Sequence, residues 1–166
     1  MGVQGDARTY RHVVALRDKR YEMNYEKLQK LSTELCNVHT ATNRVVVLVS
    51  GRVKSIEKAT IRRVSLTRSR IELLREADYI VRSRMEEEGL IESVWQFPAV
   101  LIPISFQSGE SIVLRPVNST DGMTASFARL PKDVLRRIAD DIIELPGIDA
   151  VFLDVTSKPP ATIEWE

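Results

Sequence analysis

The chain has 166 residues, 43% of them hydrophobic, a length and an apolar fraction that suit one domain with a substantial buried core. The 24 Lys and Arg residues nearly balance the 23 Asp and Glu residues, so the formal net charge of +1 excludes a strong overall attraction to nucleic acid or to a membrane surface. The single Cys36 excludes an internal disulfide, and no apolar run approaches the roughly 20 residues that span a bilayer, so we expect a cytoplasmic protein.

The first part of the chain predicts a strand, a helix and a second strand. A β-rich run at 13–17 comes first, and a closing strand is predicted at 44–49. Between them, apolar residues recur at the spacing of one helix face, which predicts an amphipathic helix with a stripe of Leu28, Leu31, Leu35 and Val38. Cys36 lies in this helical run, which predicts a buried and unreactive thiol.

A basic segment follows at 52–69, and it has two interpretations. Its charged cluster consists of Lys54, Lys58, Arg62, Arg63 and Arg68, with Arg70 just beyond. One interpretation is a solvated linker, and the alternative is part of a basic α/β RNA-binding module in which residues 2–5 supply a G-x-x-G turn. No aromatic residues interleave with the arginines for base stacking, and a β-rich run follows the G-x-x-G, so the linker without a nucleic-acid partner is favoured.

The next predicted elements are a helix and an interrupted strand. Residues 68–89 have helical periodicity, with a stripe of Ile71, Leu74, Val81 and Met85, and Gly89 is predicted to end the helix. The strand predicted at 94–105 contains Pro98 and Pro103, which favours an edge position or a kinked strand because proline cannot donate to a neighbouring strand.

The strand–helix–strand order then recurs. A β-rich run at 111–115 precedes a helix, and a strand at 150–155 follows the turn at 146–147. The helix begins near Pro131, whose missing N–H costs nothing in a first turn, and its predicted apolar face consists of Val134, Leu135, Ile138, Ile142 and Ile143.

The C-terminal segment 156–166 is unusual for a chain end, which is normally frayed. Pro159 and Pro160 fix two φ angles and remove two donors, so they predict a stiff extension beyond the last strand. The residues alone allow two roles. The segment either docks on its own domain through Ile163 and Trp165, or offers its polar groups to a ligand.

Several ordered motifs resemble the C-terminal dimerisation domain of the glutamine-hydrolysing GMP synthases, in the long form with a tandem repeat of the unit. They are L-R-E-A-D at 74–78, Q-F-P-A-V at 96–100, S-T-D-G-M-T-A at 119–125, A-R-L-P at 128–131, P-G-I at 146–148, the tail at 156–166 and G-V-Q-G-D-A-R-T-Y at 2–10. The resemblance is continuous from about residue 70 to residue 166.

The resemblance implies an α+β fold of two related units, each a helix-covered, mainly antiparallel sheet, packed as an intrachain pseudo-dimer. The expected divisions are a first unit at 1–51, a basic linker at 52–69, and a second, complete unit at 70–166 that includes the tail. The opening helix and strand of the first unit are expected upstream of this chain, and Met1 is expected to mark a truncated or cloned piece. The chain is expected to be a monomer through this pseudo-dimer, or a homodimer.

The family makes GMP from XMP, ATP and glutamine-derived ammonia. The phosphate-binding Ser-Gly-Gly-Val-Asp-Ser loop of its ATP-pyrophosphatase domain is absent from this sequence, and so is the glutaminase constellation of Cys, His and Glu. The resemblance therefore implies a part with no catalytic residue, no metal site and no cofactor of its own. It would act with upstream ATP-pyrophosphatase and glutaminase domains, where ATP and Mg bind.

The resemblance also implies residues that bind XMP. Lys158 matches the tail lysine, a point charge for the phosphate, and Thr162 with the N–H groups around Ile163 would add phosphate hydrogen bonds. Glu164 would accept from the purine or the ribose. Gln96 and Asp6 match further XMP positions, although the residues alone favour a surface glutamine and an Asx turn there. The second unit lacks the Gly-Asp motif, so the sequence leaves open whether Asp6 lies near the tail.

Overall fold

A computed structural model of the chain describes residues 2–4, 7–18 and 22–165. The helices among these residues are α1 (Tyr25–Val38), α2 (Arg68–Glu87) and α3 (Lys132–Ile143). The strands are β1 (Gly2–Gln4), β2 (Ala7–Thr9), β3 (His12–Leu16), β4 (Thr42–Gly51), β5 (Thr60–Ile61), β6 (Ala99–Ile102), β7 (Ile104–Ser105), β8 (Glu110–Leu114), β9 (Val117–Asn118), β10 (Ser126–Phe127) and β11 (Ile148–Asp154).

Five of these strands form one central sheet in the order β3-β4-β11-β8-β6. β3 and β4 run parallel, as do β8 and β11, and in each pair a helix lies between the two strands in the sequence. β4 and β11 pair antiparallel at the centre, and β6 pairs antiparallel with β8. The α+β class is therefore confirmed, and its sheet is mixed, because the strands within each strand–helix–strand segment are parallel.

Alternation along β4 explains why this strand is buried on both faces. Val45, Val47 and Val49 join the larger core beneath the helices, whereas Val46 and Leu48 join a second core on the opposite face. Successive side chains of a strand point to opposite faces, so a continuous apolar run is typical of a central strand covered on both sides. The covers on the second face include the basic segment and the C-terminal segment, which contribute partly buried side chains such as Ile56 and Trp165.

The predicted helix faces agree with the structure to different degrees. On α3 all five predicted apolar residues are buried, and Pro131 occupies the N-cap position. On α2 the predicted Val81 and Met85 are buried, together with Ala77, which was not predicted, while Ile71 is 42% exposed. Ala77 is small enough for the helix to approach its neighbours closely, which a count of large apolar residues overlooks.

The predicted stripe of α1 is wrong in part. The buried residues are Leu28, Ser32 and Cys36, four residues apart, whereas Val38 is 73% exposed. Ser32 and Cys36 are small side chains facing the sheet, and an apolar pattern does not count the serine. The prediction that Cys36 is buried is confirmed.

Two predictions about chain breaks are confirmed. Gly89 has a φ of 67° immediately after α2, the left-handed conformation that commonly ends a helix. The strand predicted at 94–105 begins only at Ala99, so its first five residues were predicted wrongly. The rest is divided at Pro103 into β6 and β7, and β6 lies at the edge of the central sheet. This position agrees with the missing donor of proline.

Candidate functional site

The C-terminal segment runs back across the molecule after β11 and is fixed at two points by its backbone. The N–H of Lys158 donates to the carbonyl of Ala125 at 2.7 Å, and the N–H of Ala125 donates to the carbonyl of Lys158 at 3.1 Å. Ala161 forms an antiparallel bridge with Gly2. A Cβ at Gly2 would lie 2.5 Å from the carbonyl oxygen of Pro160, so glycine permits this close approach.

Between these two points the chain turns. The N–H of Ala161 donates to the carbonyl of Ser157 at 3.1 Å. The prediction of a stiff extension through the two prolines is therefore wrong. The N–H of Ala161 closes a hydrogen-bonded turn back to Ser157, which brings the last residues over the end of the central sheet.

Beneath the last residues lies a buried ion cluster of Arg44, Arg115 and Asp154, each with a fully buried side chain. Arg44 Nη1 lies 2.7 Å from Asp154 Oδ2, and Arg115 Nη1 lies 3.2 Å from Asp154 Oδ1. The three come from different strands: Arg44 is in β4, Asp154 ends β11, and Arg115 follows β8. The sheet order places β4, β11 and β8 side by side, so the cluster forms at one end of these three central strands.

The two guanidinium groups of this cluster bind the tail. Arg44 Nη2 donates to Thr162 Oγ1 at 2.5 Å and to the carbonyl of Glu164 at 2.6 Å. Arg115 donates from Nη1 to the carbonyl of Thr156 at 2.6 Å and from Nη2 to the carbonyl of Thr162 at 3.0 Å. These charge-assisted bonds satisfy backbone oxygens that the sheet does not pair.

The carboxylate of Asp154 also contacts the tail directly. Trp165 Nε1 donates to Asp154 Oδ2 at 2.8 Å, and the guanidinium carbon of Arg44 lies 4.7 Å from the Trp165 ring centroid. Burial alone would raise the pKa of the Asp154 carboxyl, but the charges of Arg115 and Arg44 and the hydrogen bonds from Thr156 lower it below its ordinary value. The carboxylate is therefore ionised at neutral pH and compensates the two buried cations.

Lys158, predicted to meet the phosphate, lies beside the loop at 119–124. Its Nζ donates to the carbonyl of Gly122 at 2.6 Å, and its side chain is partly buried. Asp121 organises this loop by accepting from the N–H groups of Met123 and Thr124, at 2.9 and 3.1 Å. These two hydrogen bonds, and the charge of Lys158, lower the pKa of the Asp121 carboxyl.

The other predicted tail residues have different surroundings. The hydroxyl of Thr162 lies in the buried network, where it accepts from Arg44 and donates to the carbonyl of Glu164. Ile163 is buried against Val117 and Ala125. The side chain of Glu164 is exposed, whereas its carbonyl oxygen accepts from Arg44. Of the residues predicted in this segment, Glu164 is thus the one most open to solvent.

Gln96 lies one strand away from the tail, and Asp6 lies outside the described residues. The N–H of Gln96 donates to the carbonyl of Val117 at 3.2 Å and its carbonyl accepts from the N–H of Val117 at 2.8 Å, while its side chain is exposed. Val117 in turn packs against Ile163. On the other side, the bridge from Gly2 to Ala161 brings the N-terminal β1 against the tail.

An open cleft of about 780 Å³ adjoins this region. Its wall includes Trp95, which is 47% exposed, the polar side chains of Asn118 and Thr124, and Ala125, whose backbone pairs with Lys158. The cleft is therefore bordered by part of the loop at 119–124 and lies next to the tail through the pairing of Ala125 with Lys158.

Sequence reasoning missed Arg44, Arg115 and Asp154. A signal was present, because each is a charged residue at the end of an apolar strand: Arg44 precedes five apolar residues, Arg115 follows Ile112, Val113 and Leu114, and Asp154 follows Leu153. A charge at such a position is costly to bury unless it has a partner, so two basic ends and one acidic end indicate an ion cluster. Only the strand order shows that the three meet.

Most of the basic segment at 52–69 is exposed, as expected for a solvated linker, but Arg62 and the neighbouring Arg70 bond to the rest of the protein. Arg62 Nη1 donates to the carbonyl of Ser108 at 2.7 Å, and Arg70 Nε lies 2.8 Å from Glu110 Oε2. β5, within the segment, pairs antiparallel with β7. These contacts involve two of the arginines that the alternative interpretation would use for RNA. The comparisons described below give that alternative no support.

Neither a membrane-spanning helix nor a group of metal-ligating side chains is found in the described part of the chain. Every helix there is too short or too polar to cross a bilayer. Among the same residues, no three His, Cys, Asp or Glu side chains are grouped as metal ligands.

Comparison with known proteins gives a consistent result. A family model described as the GMP synthase C terminal domain matches residues 83–165, which is half of the chain. The Probable GMP synthase (glutamine-hydrolyzing) of Leptospira interrogans serogroup Icterohaemorrhagiae serovar copenhageni is 40% identical over 167 residues, covering 100% of this chain and 27% of the relative.

Two other relatives match a shorter part. The GMP synthases (glutamine-hydrolyzing) of Thermobifida fusca and Thermomicrobium roseum are 49% and 46% identical over 111 and 110 residues, each covering 61% of this chain and 21% of the relative. The chain therefore spans about a quarter of the length of the curated relatives it matches. Since the family model matches half of the chain, the chain belongs to the GMP synthase C-terminal domain family.

Proposed function

We propose that this chain is the XMP-binding, C-terminal part of a cytoplasmic GMP synthase, a ligase that converts XMP to GMP with ATP and glutamine-derived ammonia. The family membership and the printed names of the relatives support the reaction. The sequence lacks an ATP-binding glycine loop and a glutaminase constellation. The chain would therefore work with upstream ATP-pyrophosphatase and glutaminase domains, where ATP and Mg bind.

The observation that carries this proposal is the ordered tail. Most chain ends fray because few contacts oppose the entropy of the free chain. Here the backbone at 156–164 is fixed by Arg44, Arg115 and the pairing of Lys158 with Ala125. A tail held in this way fixes the backbone that carries the ammonium of Lys158 and the carboxylate of Glu164. This suits recognition of a ligand that carries a phosphate at one end and hydrogen-bond donors at the other.

Within this proposal the residues have separate roles. Lys158 meets the phosphate, and it exchanges the carbonyl of Gly122 for a charged partner when the nucleotide arrives. Glu164 accepts from the purine or the ribose, away from the phosphate that its charge would repel. Thr162 and Ile163 act mainly through the backbone, because the hydroxyl of Thr162 is already bonded to Arg44. Gln96 and Asp6 are proposed as further XMP-binding residues.

We also propose that the two strand–helix–strand segments are related units packed as an intrachain pseudo-dimer. The central antiparallel pair joins β4, the last strand of the first segment, to β11, the last strand of the second. Pairing of equivalent strands in this way is what a two-fold relation between the segments requires. This arrangement favours a monomer, with the homodimer as the competing state.

A hybrid enzyme tests the function. The segment of the Leptospira interrogans relative that aligns with this chain is replaced by residues 1–166, and GMP formation from XMP, ATP and glutamine is measured. We expect the hybrid to make GMP, and the 166-residue chain alone to make none. A hybrid that folds but makes no GMP when XMP, ATP and glutamine are supplied would contradict the proposal, and so would turnover by the isolated chain.

A further inference from the structure

The buried cluster connects the tail to a strand that is distant in the sequence. Arg44 belongs to the first strand–helix–strand segment, 110 residues before Asp154 and 120 residues before Glu164. Its guanidinium contacts Asp154, Thr162 and Glu164 at the same time and lies against the Trp165 ring. One side chain of the first segment therefore fixes the residues that the second segment is proposed to present to the nucleotide.

We propose that Arg44 is a positioning residue for the nucleotide site: it holds the tail in its binding conformation before the nucleotide arrives. This inference rests on the proposed function, because the nucleotide is taken to be XMP. Arg44 itself does not touch the nucleotide. It acts through the backbone of Thr162 and Glu164, and through the carboxylate that it shares with Trp165.

Burial makes this role specific to arginine. A cation with no exposed side-chain surface is costly unless its charge and its donors are all satisfied, and here Asp154 supplies the opposite charge while the tail supplies the remaining acceptors. The planar guanidinium can bond a carboxylate on one nitrogen and two tail oxygens on another. A lysine ammonium at this place would keep the ion pair with Asp154 but could not reach the same three acceptors.

The consequence for binding is a lower entropic cost. A free tail would have to order several residues when it closes on the nucleotide, and this ordering costs entropy. The apparent affinity is the intrinsic affinity multiplied by the fraction of molecules whose tail is already in the binding conformation, so a free tail binds more weakly. With the cluster intact, the tail is already ordered. Loss of the Arg44 guanidinium should therefore raise the concentration of XMP that the enzyme requires and leave the rate of the chemical step nearly unchanged.

Three substitutions test the proposal. Arg44→Lys keeps the positive charge and the ion pair with Asp154 but removes the guanidinium hydrogen bonds to Thr162 and Glu164. Trp165→Phe keeps an aromatic ring against Arg44 but removes the N–H that donates to Asp154. The matched control is Arg70→Lys, because Arg70 also joins a buried carboxylate, Glu110, and a backbone carbonyl, that of Ser65. Glu110 lies at the opposite end of β8 from Arg115, roughly 16 Å away along the strand.

Two measurements separate positioning from simple stability. In the full 166-residue chain, hydrogen exchange is measured at the N–H of Lys158 and of Ala161, which donate to Ala125 and Ser157. In the hybrid enzyme, KM for XMP and kcat at saturating XMP are measured. For Arg44→Lys we expect exchange at Ala161 and the KM for XMP to rise at least about tenfold, with kcat within about threefold. Trp165→Phe should show the same pattern at about threefold, and Arg70→Lys should leave exchange and KM within about twofold.

The outcomes distinguish the two proposals. If the wild-type hybrid makes no GMP, the proposed function fails, and the exchange measurement alone decides whether Arg44 orders the tail. If the hybrid is active and Arg44→Lys leaves both exchange and KM within about twofold of wild type, the positioning role is overturned. If Arg44→Lys does not fold, Trp165→Phe decides by the same criterion. Equal effects of Arg44→Lys and Arg70→Lys would show a general loss of stability and would also overturn the proposal.

Discussion

At the scale of the residue, the charge of Asp154 organises the site. The two arginines and the hydrogen bonds from Thr156 depress the pKa of this fully buried carboxyl. A carboxyl whose folded pKa is depressed contributes stability above its unfolded pKa, about 3.9, and loses that stability as the pH falls through the folded pKa. The cluster should therefore be intact through neutral pH and should weaken only in strong acid.

Replacing Asp154 by Asn tests this charge. The variant leaves Arg44 and Arg115 buried with no anion between them, so the free energy of unfolding in urea should fall by about 3–5 kcal/mol at pH 7. Its stability should also depend less on pH below about 4 than that of the wild type. Asp78→Asn is the control, because its pair with Arg82 is largely exposed and should contribute less than about 1 kcal/mol. Equal losses in the two variants would argue against a buried ionic cluster.

Lys158 carries the second prediction at this scale. In the hybrid enzyme, Lys158→Ala should raise the XMP requirement roughly ten- to a hundredfold, because a charge-assisted contact with phosphate is typically worth about 1.5–3 kcal/mol. The ATP requirement and glutamine hydrolysis should change far less, since neither site is expected in this chain. Steady-state kinetics with XMP as the varied substrate measure the effect. An XMP requirement within about twofold of wild type would mean that the tail lysine has only its structural bond to Gly122.

Some residues of the candidate site can be identified from the sequence, whereas Arg44 can be identified only from the structure. Lys158, Thr162, Ile163 and Glu164 follow from a local motif, and motif resemblance singles them out without any fold. Arg44 lies in no such motif, and its partners are more than 100 residues away. Its importance arises from burial and from the meeting of three strand ends, and neither is visible in a linear pattern.

At the scale of the element, α1 illustrates how a helix face is chosen by what it packs against. Cys36 is 4% exposed on the face that meets the sheet, and burial, together with the charge of Asp154, raises the pKa of its thiol. Both effects keep the thiol protonated and inaccessible, because a thiolate would lose solvation and face a like charge.

Thiol labelling tests this element. In the native chain at pH 7.5, Cys36 should react with an aromatic disulfide reagent at least about a hundredfold more slowly than in urea-unfolded chain, because access requires opening of α1. The rate should be independent of reagent concentration once opening becomes limiting. Rapid labelling of the folded protein would indicate that α1 is loosely packed on β4, contrary to the core described above.

At the scale of the whole molecule, one sheet joins the two strand–helix–strand segments. β4 and β11 are neighbours at its centre, and Arg44 of the first segment neutralises Asp154 of the second. Separating the segments would expose the edges of two central strands and break a buried ion cluster. We therefore expect residues 1–51 and residues 70–166 to depend on each other for folding.

A split chain tests this dependence. The chain is divided near Leu66, which is 83% exposed in the basic segment, and residues 1–64 and 65–166 are produced separately and together. We expect neither piece to show a cooperative unfolding transition of native stability alone, and the two to copurify through a tag on either one. A piece 65–166 that is a stable monomer with the melting temperature of the intact chain would show that the second unit folds independently.

The sequence by itself determined the class of fold, the order of most strands and helices, and the family to which the chain belongs. It did so because helix and strand periodicity, proline and glycine positions and short motifs are all local in the chain. The tertiary structure decided three things: that the sheet is mixed and shared, that Ser32 and Ala77 face the core, and that Arg44 reaches the tail. Each of these depends on which strands become neighbours, and strand order is set by packing across the whole molecule, which no local pattern contains.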